Sequence, residues 1–248
     1  MQKTILITGG SRGIGAATAF AAADKGYQVC INYHTNHEAA AQVVKTIQEK
    51  GQIATAFAAD VSIESQAKAL FEHIDHTFGS VYALVNNVGV LEKQAKVEAI
   101  EASRFERILL TNMMSCFLCS KEAIKRMSTR NGGAGGSIVN VSSIASRSGS
   151  PGEYVDYAAS KGAMDSFTIG LAKEVAEEGI RVNGVRPAFI YTDIHASGGE
   201  PGRVDRIKAS VPMKRGGYPH EVAQAILWLL SEEASYSTGT FIDVSGGR

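Results

Sequence analysis

Short β-branched runs alternate with longer segments of helical period along this chain. Four of the runs are rich in Ile, Val and Ala with little alternation of polar and apolar positions, as in strands covered on both faces. Residues 66–78 carry apolar side chains at the i, i+3, i+4 and i+7 spacing that buries one helix face. The alternation predicts stacked βαβ units and a parallel sheet. We predict seven strands, over residues 4–8, 28–33, 53–58, 83–86, 137–141, 181–185 and 240–244.

The length and the net charge of the chain limit the classes of protein to which it can belong. It has 248 residues, 44% hydrophobic, which suits one α/β domain with a large core. Its 25 basic residues balance its 25 acidic ones, so no bulk field attracts it to nucleic acid or to an anionic membrane. The longest apolar run, residues 225–230, is far shorter than the roughly 20 residues that span a bilayer. We therefore expect neither a nucleic-acid partner nor a membrane span.

The N-terminal residues and the cysteines indicate the cellular compartment in which the protein is expected. The first nine residues carry one positive charge and too short an apolar stretch for a signal peptide. The chain has three cysteines, Cys30, Cys116 and Cys119, and this odd number argues against a secreted disulfide framework. We expect a cytoplasmic protein. We expect no metal site: Cys116 and Cys119 have C-x-x-C spacing but lie in an apolar helical segment, and His73 and His76 have no third ligand nearby.

A glycine-rich loop directly follows the first predicted strand. Residues 8–15 read TGGSRGIG and lead into a predicted helix over residues 16–23. Glycines in this context let backbone N–H groups reach a pyrophosphate, and the helix dipole favours its charge. A tight turn that needs positive φ is the alternative, but the strand and helix on either side favour dinucleotide binding. The predicted contacts in this loop are Gly9, Ser11, Arg12, Gly13, Ile14 and Gly15.

The end of the second predicted strand bears on the choice of cofactor. It reads Asn32, Tyr33, His34, without the carboxylate that selects NAD in the commoner fingerprint. The guanidinium of Arg12 can pair with a 2′-phosphate, so we expect NADP(H) and regard NAD(H) as possible. In the alternative reading, Arg12 is a solvated loop residue and Glu38 binds the ribose hydroxyls.

A tyrosine and a lysine four residues apart open a long helical pattern. Tyr157 and Lys161 therefore lie one above the other on a single helix face. An ammonium at ~4 Å, with an effective dielectric of ~20, attracts a phenolate by about 4 kcal/mol before desolvation. This attraction predicts a lowered pKa for Tyr157 and a tyrosine suited to acid–base catalysis. An ordinary surface pair is the alternative for such a spacing taken alone.

The Tyr157–Lys161 pair occurs together with the glycine loop, with Ser142-Ser143 at the end of a predicted strand, and with Asn86-Asn87-Val88-Gly89 and Asn112. With this combination the chain resembles the short-chain dehydrogenase/reductase superfamily in its short, single-domain form. The resemblance implies a Rossmann-like, doubly wound α/β fold of seven parallel strands flanked by helices. It covers residues 1–248 as one NAD(P)-binding catalytic domain. The segments that carry the resemblance are Thr8-Gly9, Gly13-Ile14-Gly15, Asp60-Val61, Asn86-Asn87-Val88-Gly89, Asn112, Ser143, Tyr157 with Lys161, Asn183, Arg186-Pro187 and Asp243-Val244-Ser245-Gly246-Gly247.

The resemblance also implies roles for the matching side chains. Tyr157 would exchange a proton with the substrate oxygen, and Ser143 would hydrogen-bond that oxygen. Lys161 would lower the tyrosine pKa and hold the nicotinamide ribose, and Asn112 would distort its helix and position a water for the proton relay. A homotetramer, or a homodimer, is implied by analogy. The other implied cofactor contacts are Asp60, Val61, Asn87, Gly89, Pro187, Ile190 and Thr192.

Departures from the family pattern concentrate at the substrate end. The interval from Ser143 to Tyr157 is one residue longer than usual, with the insertion in residues 148–153. Ser142 competes with Ser143 for the role of catalytic serine. Val88 and Ala188 stand where the family often has Ala and Gly. Residues 193–217 are predicted to form a substrate loop, of the kind that often closes over a site.

The predicted function is an NADP(H)-dependent interconversion of a carbonyl and a secondary alcohol on a small molecule. Two substrate classes compete, a 3-oxoacyl thioester on an acidic carrier protein and a sugar or polyol. A carrier protein needs a basic docking surface, which Lys125, Arg126 and Arg130 could supply, although Glu177 and Glu178 oppose it. A non-catalytic dinucleotide-binding redox sensor or scaffold is the alternative outside enzymes.

Overall fold

The seven predicted strands form one sheet in the structure, a computed structural model that describes residues 2–248. All neighbouring pairs are parallel, and the order across the sheet is β3-β2-β1-β4-β5-β6-β7. The predicted doubly wound parallel sheet is confirmed, and its strand bounds differ from prediction by at most two residues. The strands are β1 (Thr4–Ile7), β2 (Gln28–Tyr33), β3 (Ala54–Ala58), β4 (Ala83–Asn86), β5 (Gly136–Val141), β6 (Ile180–Pro187) and β7 (Phe241–Val244).

Ten α-helices connect the strands within the described chain. A π-helical turn, Leu110–Met114, joins the fourth and fifth of them into one rod. The helices are α1 (Gly13–Asp24), α2 (His37–Gln48), α3 (Glu64–Phe78), α4 (Ala102–Leu109), α5 (Ser115–Met127), α6 (Ala145–Ser148), α7 (Val155–Val175), α8 (Ile194–Ser197), α9 (Arg203–Ile207) and α10 (Pro219–Leu230).

Both faces of the sheet are covered, and each face has its own apolar core. On one face, side chains of α1, α2 and α10 pack against the sheet. On the other face, α3, α5 and α7 do so, with Phe71 and Ile74 of α3 fully buried. Strands buried on both faces carry no polar alternation, which explains the near-continuous apolar runs of the sequence.

The predicted substrate loop, residues 193–217, is not a plain loop. It contains the short helices α8 and α9 and a 3-10 turn, Lys208–Ser210. Val204 and Val211 are buried, so part of the segment packs on the body of the protein. The prediction of a loop missed these helices because each is five residues or shorter and shows less than two turns of periodicity.

The three cysteines, Cys30, Cys116 and Cys119, are free and buried. Burial raises the pKa of the Cys30 and Cys116 thiols to about 12 and raises that of Cys119 as well. Thiols protonated in this way are poor nucleophiles and poor metal ligands. Among residues 2–248, no helix has the length and apolarity needed to cross a bilayer.

Candidate active site

The glycine loop lies where the strand order reverses. β1 pairs with β2 on one side and with β4 on the other, so the loop after β1 opens into the crevice between the two halves of the sheet. Gly9 and Gly13 have φ of +61° and +54°, values that side chains disfavour. A Cβ on Gly15 would collide with the carbonyl oxygen of Gly9 and lie 2.7 Å from Asn87 Nδ2. The first N–H groups of α1, which have no intrahelical acceptors, are thereby left open to an anion.

A cavity of about 1060 Å³ runs from this loop along the carboxyl edge of the sheet. The predicted site residues line it with two exceptions, Gly15 and Asn112. Gly15 packs behind the loop, and Asn112 is fully buried beneath the cavity. A single space therefore brings together residues from the ends of β1, β2, β4, β5 and β6 with residues of α7.

At one end of the cavity, Arg12 is an exposed cation with no side-chain partner among the described residues. Tyr33 and His34 line the same cavity, and the hydroxyl of Tyr33 shares a hydrogen bond with His37 Nδ1 at 2.8 Å. Glu38, the alternative ribose ligand, does not line the cavity. An unpaired guanidinium and no carboxylate from the end of β2 favour a phosphate at this end.

Two residues predicted to contact the cofactor, Asn32 and Asp60, form side-chain hydrogen bonds to other groups of the protein. Asn32 is buried, and its amide donates to the Ala59 carbonyl at 2.9 Å. The side chain of Asp60 accepts bonds from the backbone and hydroxyl of Ser62 at 3.0 and 2.6 Å. Both side chains therefore help to shape the loops that form the cavity wall.

Asn87 connects the glycine loop to the end of β4. Its Nδ2 donates to the carbonyl oxygens of Thr8 and Gly9, each at 3.0 Å. Its backbone N–H donates to the Thr8 hydroxyl at 3.0 Å. These bonds hold the two halves of the crevice at a fixed separation, since the loop follows β1 and Asn87 follows β4.

Tyr157, Lys161 and Ser143 meet at the other end of the cavity. Lys161 is 2% exposed, its ammonium lies 5.7 Å from the centre of the Tyr157 ring, and it donates to the Val141 carbonyl at 2.7 Å. Gly89 faces this ammonium closely, because a Cβ there would lie 3.3 Å from Nζ. The shared helix face predicted from the spacing of four is confirmed.

The predicted fall in the tyrosine pKa is wrong for this structure. Burial raises the pKa of Tyr157 to about 12, and a hydrogen-bonding interaction with the Ser143 hydroxyl opposes the rise only in part. Burial likewise lowers the pKa of Lys161 to about 8. Both shifts disfavour the charged forms, as removal from water does. The Lys161 ammonium is engaged with the Val141 carbonyl, and the pKa of Tyr157 shows no lowering by it.

The two adjacent serines have different environments. Ser142 Oγ donates to the backbone carbonyl of Lys161 at 3.3 Å and so joins β5 to α7. Ser143 Oγ accepts the Ala145 N–H at 3.1 Å and is the serine that interacts with the Tyr157 phenol. Of the two hydroxyls, Ser143 is therefore the one beside the candidate proton donor.

Asn112 sits in the π-helical turn and has no free hydrogen-bonding atom in its carboxamide. Its Oδ1 accepts the Val90 N–H at 2.7 Å, while Nδ2 donates to the Val90 carbonyl and to Ser160 Oγ, each at 3.0 Å. Ser160 Oγ in turn donates to the Tyr157 carbonyl at 2.7 Å. π-Helical turns recur at functional sites because they alter the path of a helix.

At the substrate end of the cavity, the walls include residues that the sequence motifs do not indicate. The insertion supplies Glu153, which pairs with the buried Arg203 of α9. The guanidinium of Arg203 lies 5.0 Å from the ring of Tyr154 and 5.5 Å from that of Phe189. His195 is also buried there, with Nε2 bonded to the Ile190 carbonyl at 2.9 Å. These residues lie outside any motif, and the sequence pointed to the region only through the extra residue before Tyr157 and the predicted substrate loop, residues 193–217.

The fold and the site together define a class of protein. A doubly wound parallel sheet carries an anion-binding glycine loop at its switch point, with a tyrosine, a lysine and a serine at the far end of one cavity. These are the parts of an oxidoreductase that uses a nicotinamide dinucleotide. A family model described as enoyl-(acyl carrier protein) reductase matches residues 9–248. The chain belongs to the short-chain dehydrogenase/reductase superfamily.

Similar proteins include both reductases and dehydrogenases. An uncharacterized oxidoreductase, YgfF, of Escherichia coli is 59% identical over 98% of each chain. The 3-oxoacyl-(acyl-carrier-protein) reductase FabG of Staphylococcus aureus is 34% identical over 100% of this chain and 98% of its own. A glucose and ribitol dehydrogenase homolog of Oryza sativa is 35% identical over 99% of this chain and 85% of its own.

A solved structure agrees with these relatives. The crystal structure of a short-chain type dehydrogenase/reductase from Mycobacterium marinum superimposes with a TM-score of 0.91 at 30% identity, covering 99% of this chain and 94% of that one. The chain is thus an enzyme that acts on CH–OH and C=O groups. The alternative of a non-catalytic sensor or scaffold is not retained.

Proposed function

We propose that this enzyme reduces the carbonyl group of a small molecule to a secondary alcohol with NADPH. The proposal rests chiefly on the convergence of Tyr157, Ser143 and Lys161 at the end of the cavity that begins at the glycine loop. A nicotinamide dinucleotide, when bound, supplies the hydride, so the protein has to manage a proton and a developing negative charge on oxygen.

Tyr157 is the proton donor in this proposal. With its pKa raised to about 12, the phenol is protonated throughout the neutral range and ready to act as an acid. An alkoxide formed by hydride addition is a much stronger base than a phenolate, so proton transfer from the phenol is downhill. Ser143 hydrogen-bonds the same oxygen. The raised pKa favours reduction over oxidation at neutral pH, since oxidation needs the phenolate.

Lys161 and Asn112 support this step in different ways. Lys161 contributes positive charge beneath the phenol and hydrogen-bonding capacity toward a nicotinamide ribose. The carboxamide of Asn112 is fully hydrogen-bonded to Val90 and Ser160. Asn112 therefore acts by holding the π-helical turn rather than by touching substrate. The water of the proton relay would then be held by backbone of that turn.

NADP(H) is the proposed cofactor because the adenosine end offers the unpaired cation Arg12 and no carboxylate from β2. The fit of a dinucleotide is supported by the glycine loop, in which Gly9 and Gly13 line the cavity at positive φ without side chains. The proposed contacts remain those predicted from the sequence.

A substrate free in solution is favoured over one carried by a protein. The three basic residues that could form a docking surface are all paired: Lys125 with Glu122 at 2.6 Å, Arg126 with Asp75 at 2.7 Å and Arg130 with Glu178 at 3.1 Å. Cations neutralised in this way offer little field to an acidic carrier protein.

We further propose a cytoplasmic homotetramer, with a homodimer as the simpler assembly. The exposed apolar side chains of Leu110, Met114 and Phe117 lie along the rod that α4 and α5 form, and they would be covered by a second copy. The three buried, unpaired thiols are in keeping with a reducing compartment.

The proposal is tested by following the absorbance of NADPH. It should fall when NADPH is supplied with a carbonyl probe (acetoacetyl-coenzyme A, diacetyl or D-fructose), and its rise is followed when NADP is supplied with D-glucose. We expect a carbonyl probe to be reduced. Tyr157→Phe should lower kcat at least a thousandfold and change the Kd of NADPH less than threefold, because only the acidic proton is lost.

Tyr154→Phe serves as the matched control, since that tyrosine also lines the cavity but bonds the Gly198 carbonyl. It should retain turnover within about tenfold of the parent. Turnover by Tyr157→Phe close to that of the parent would remove Tyr157 from the acid role.

A further inference from the structure

A buried ion pair joins α4 to the start of α7. Arg104 Nε donates to Asp156 Oδ2 at 2.7 Å, and Nη2 donates to Oδ1 at 3.3 Å. The Asp156 side chain is 1% exposed and that of Arg104 is 11% exposed. Such a pair is expensive to desolvate, and an apolar pair of similar volume is often as stable or more stable. Stability alone therefore does not explain why it is there.

The ion pair is hydrogen-bonded to the backbone of two segments that flank the candidate active site, the start of α7 and the segment after β4. Asp156 immediately precedes Tyr157 and accepts its backbone N–H at 2.9 Å. The remaining Arg104 nitrogen, Nη1, donates to the Lys93 carbonyl at 2.7 Å. Lys93 lies in the segment after β4 that also contains Gly89, which faces the Lys161 ammonium. The pair thus connects three segments: α4, the segment after β4 and the first turn of α7.

Asn112 connects the same three segments a second time. It lies on the continuation of α4, bonds Val90 in the segment after β4 and bonds Ser160 on α7. The two connections reach α7 one residue before Tyr157 and three residues after it. A helix held at two points on either side of a residue can neither slide nor rotate there without breaking one of them.

We propose that Arg104 and Asp156 are positioning residues that, together with Asn112, fix Tyr157 against the segment after β4 for proton transfer. The inference rests on the proposed function, in which Tyr157 donates the proton. Neither side chain lines the cavity, so each acts through the backbone that it holds. Proton transfer depends steeply on the placement of the donor, and a displacement near 1 Å can cost about a hundredfold in rate.

The test is an apolar replacement of the pair, Arg104→Met combined with Asp156→Leu, assayed with the carbonyl probe that the parent reduces fastest. We expect a Tm equal to or above that of the parent and a Kd for NADPH within twofold. We expect kcat to fall at least tenfold, and amide hydrogen exchange to quicken across residues 154–161. Arg104→Lys, which keeps the charge pair, should recover part of the lost kcat.

The matched control is Arg126→Met combined with Asp75→Leu, which removes an ion pair between α5 and α3, away from the cavity. It should leave kcat and exchange at 154–161 unchanged. A folded Arg104→Met/Asp156→Leu protein with kcat within twofold of the parent and unchanged exchange overturns the proposal. If that protein does not fold, Arg104→Gln decides, because it removes the charge pair with a smaller change in volume; parental kcat and exchange in that variant would equally overturn the proposal. If the parent reduces no probe, the proposed function fails, while exchange at 154–161 still tests the positioning role.

Discussion

Burial has a larger effect than neighbouring charge on the protonation of Tyr157 and Lys161. Their spacing of four correctly predicts a shared helix face, because that follows from helix geometry alone. Their pKa values could not be predicted in the same way, since desolvation depends on how completely the folded chain excludes water. The pKa of Tyr157 rises to about 12 and that of Lys161 falls to about 8. In both residues burial favours the neutral form of the side chain over the charged form.

Arg12 provides a residue-scale test of cofactor preference. Arg12→Ala removes the exposed guanidinium at the adenosine end of the cavity and should raise the Kd of NADPH about 10- to 100-fold. This matches the roughly 1.5–3 kcal/mol of a charge-assisted hydrogen bond. The Kd of NADH should change by less than threefold, because NADH has no 2′-phosphate. Fluorescence titration with both cofactors measures the two changes.

Arg147→Ala is the control for this comparison. Arg147 is another exposed arginine that lines the cavity, but it pairs with Asp243 at 2.6 Å. It should affect NADPH and NADH equally. Equal losses of NADPH and NADH affinity in Arg12→Ala would reverse the proposed cofactor preference.

At the scale of single elements, regular structure was predictable and irregular structure was not. The glycine loop between β1 and α1 could be located from the sequence because glycine, strand and helix signals coincide there. The π-helical turn at Leu110–Met114 has no local sequence signature, since it depends on bonds from Asn112 to Val90 and Ser160, and only the family resemblance indicated a distorted helix at Asn112. The short helices α8 and α9 escaped prediction because tertiary contacts, rather than periodicity, stabilise them.

The contact between α9 and the insertion is expected to control substrate binding. Arg203→Met keeps the length of the side chain but removes its bonds to Glu153 and Glu200. We expect KM for the carbonyl probe to rise about tenfold with kcat changed less than threefold, because the segment 193–217 would close less firmly over the cavity. Limited proteolysis should also cut within this segment faster than in the parent.

Arg206→Met is the matched control on the same helix. Arg206 also pairs with Glu200 and Glu153, but its side chain is 54% exposed, and exposed ion pairs contribute about 0–1 kcal/mol. Its effect on KM should be less than threefold. Identical KM values for Arg203→Met and the parent would contradict a role for this contact in substrate binding.

The architecture of the whole molecule could be predicted more completely than its site. The alternation of strand and helix patterns predicts a parallel sheet, and right-handed crossovers leave few ways to arrange it. The sequence does not reveal which side chains the sheet edge brings together, because residues as distant as Gly13 and Thr192 meet only after folding. At Gly13, a Cβ would lie 3.4 Å from the Thr192 side chain.

Lys161 links the stability of the whole molecule to pH. Its pKa is about 8 in the folded protein against 10.5 ordinarily, so between these values the unfolded chain binds more protons and stability rises with pH. Below pH 8 the buried ammonium costs the fold about 3 kcal/mol. Lys161→Met should therefore exceed the parent in free energy of unfolding at pH 7, and its advantage should shrink as pH rises toward 10.5. Urea unfolding at several pH values measures this difference.

Lys173→Met, at an exposed position on the same helix, provides the comparison. Its difference in stability from the parent should not vary with pH over this range. The same flat behaviour in Lys161→Met would mean that the Lys161 ammonium is not desolvated in the folded protein.

The reversal of strand order between β1 and β4 has a consequence for biosynthesis. The glycine loop leaves the ribosome among the first fifteen residues, but the facing walls of the crevice come from strand ends at Asn86, Val141 and Pro187. A nascent chain that stops short of β6 has a phosphate-binding turn without an enclosed cleft around it. Dinucleotide can therefore stabilise the fold only after about three-quarters of the chain has been translated. Earlier folding intermediates have to be stabilised by packing against the sheet alone.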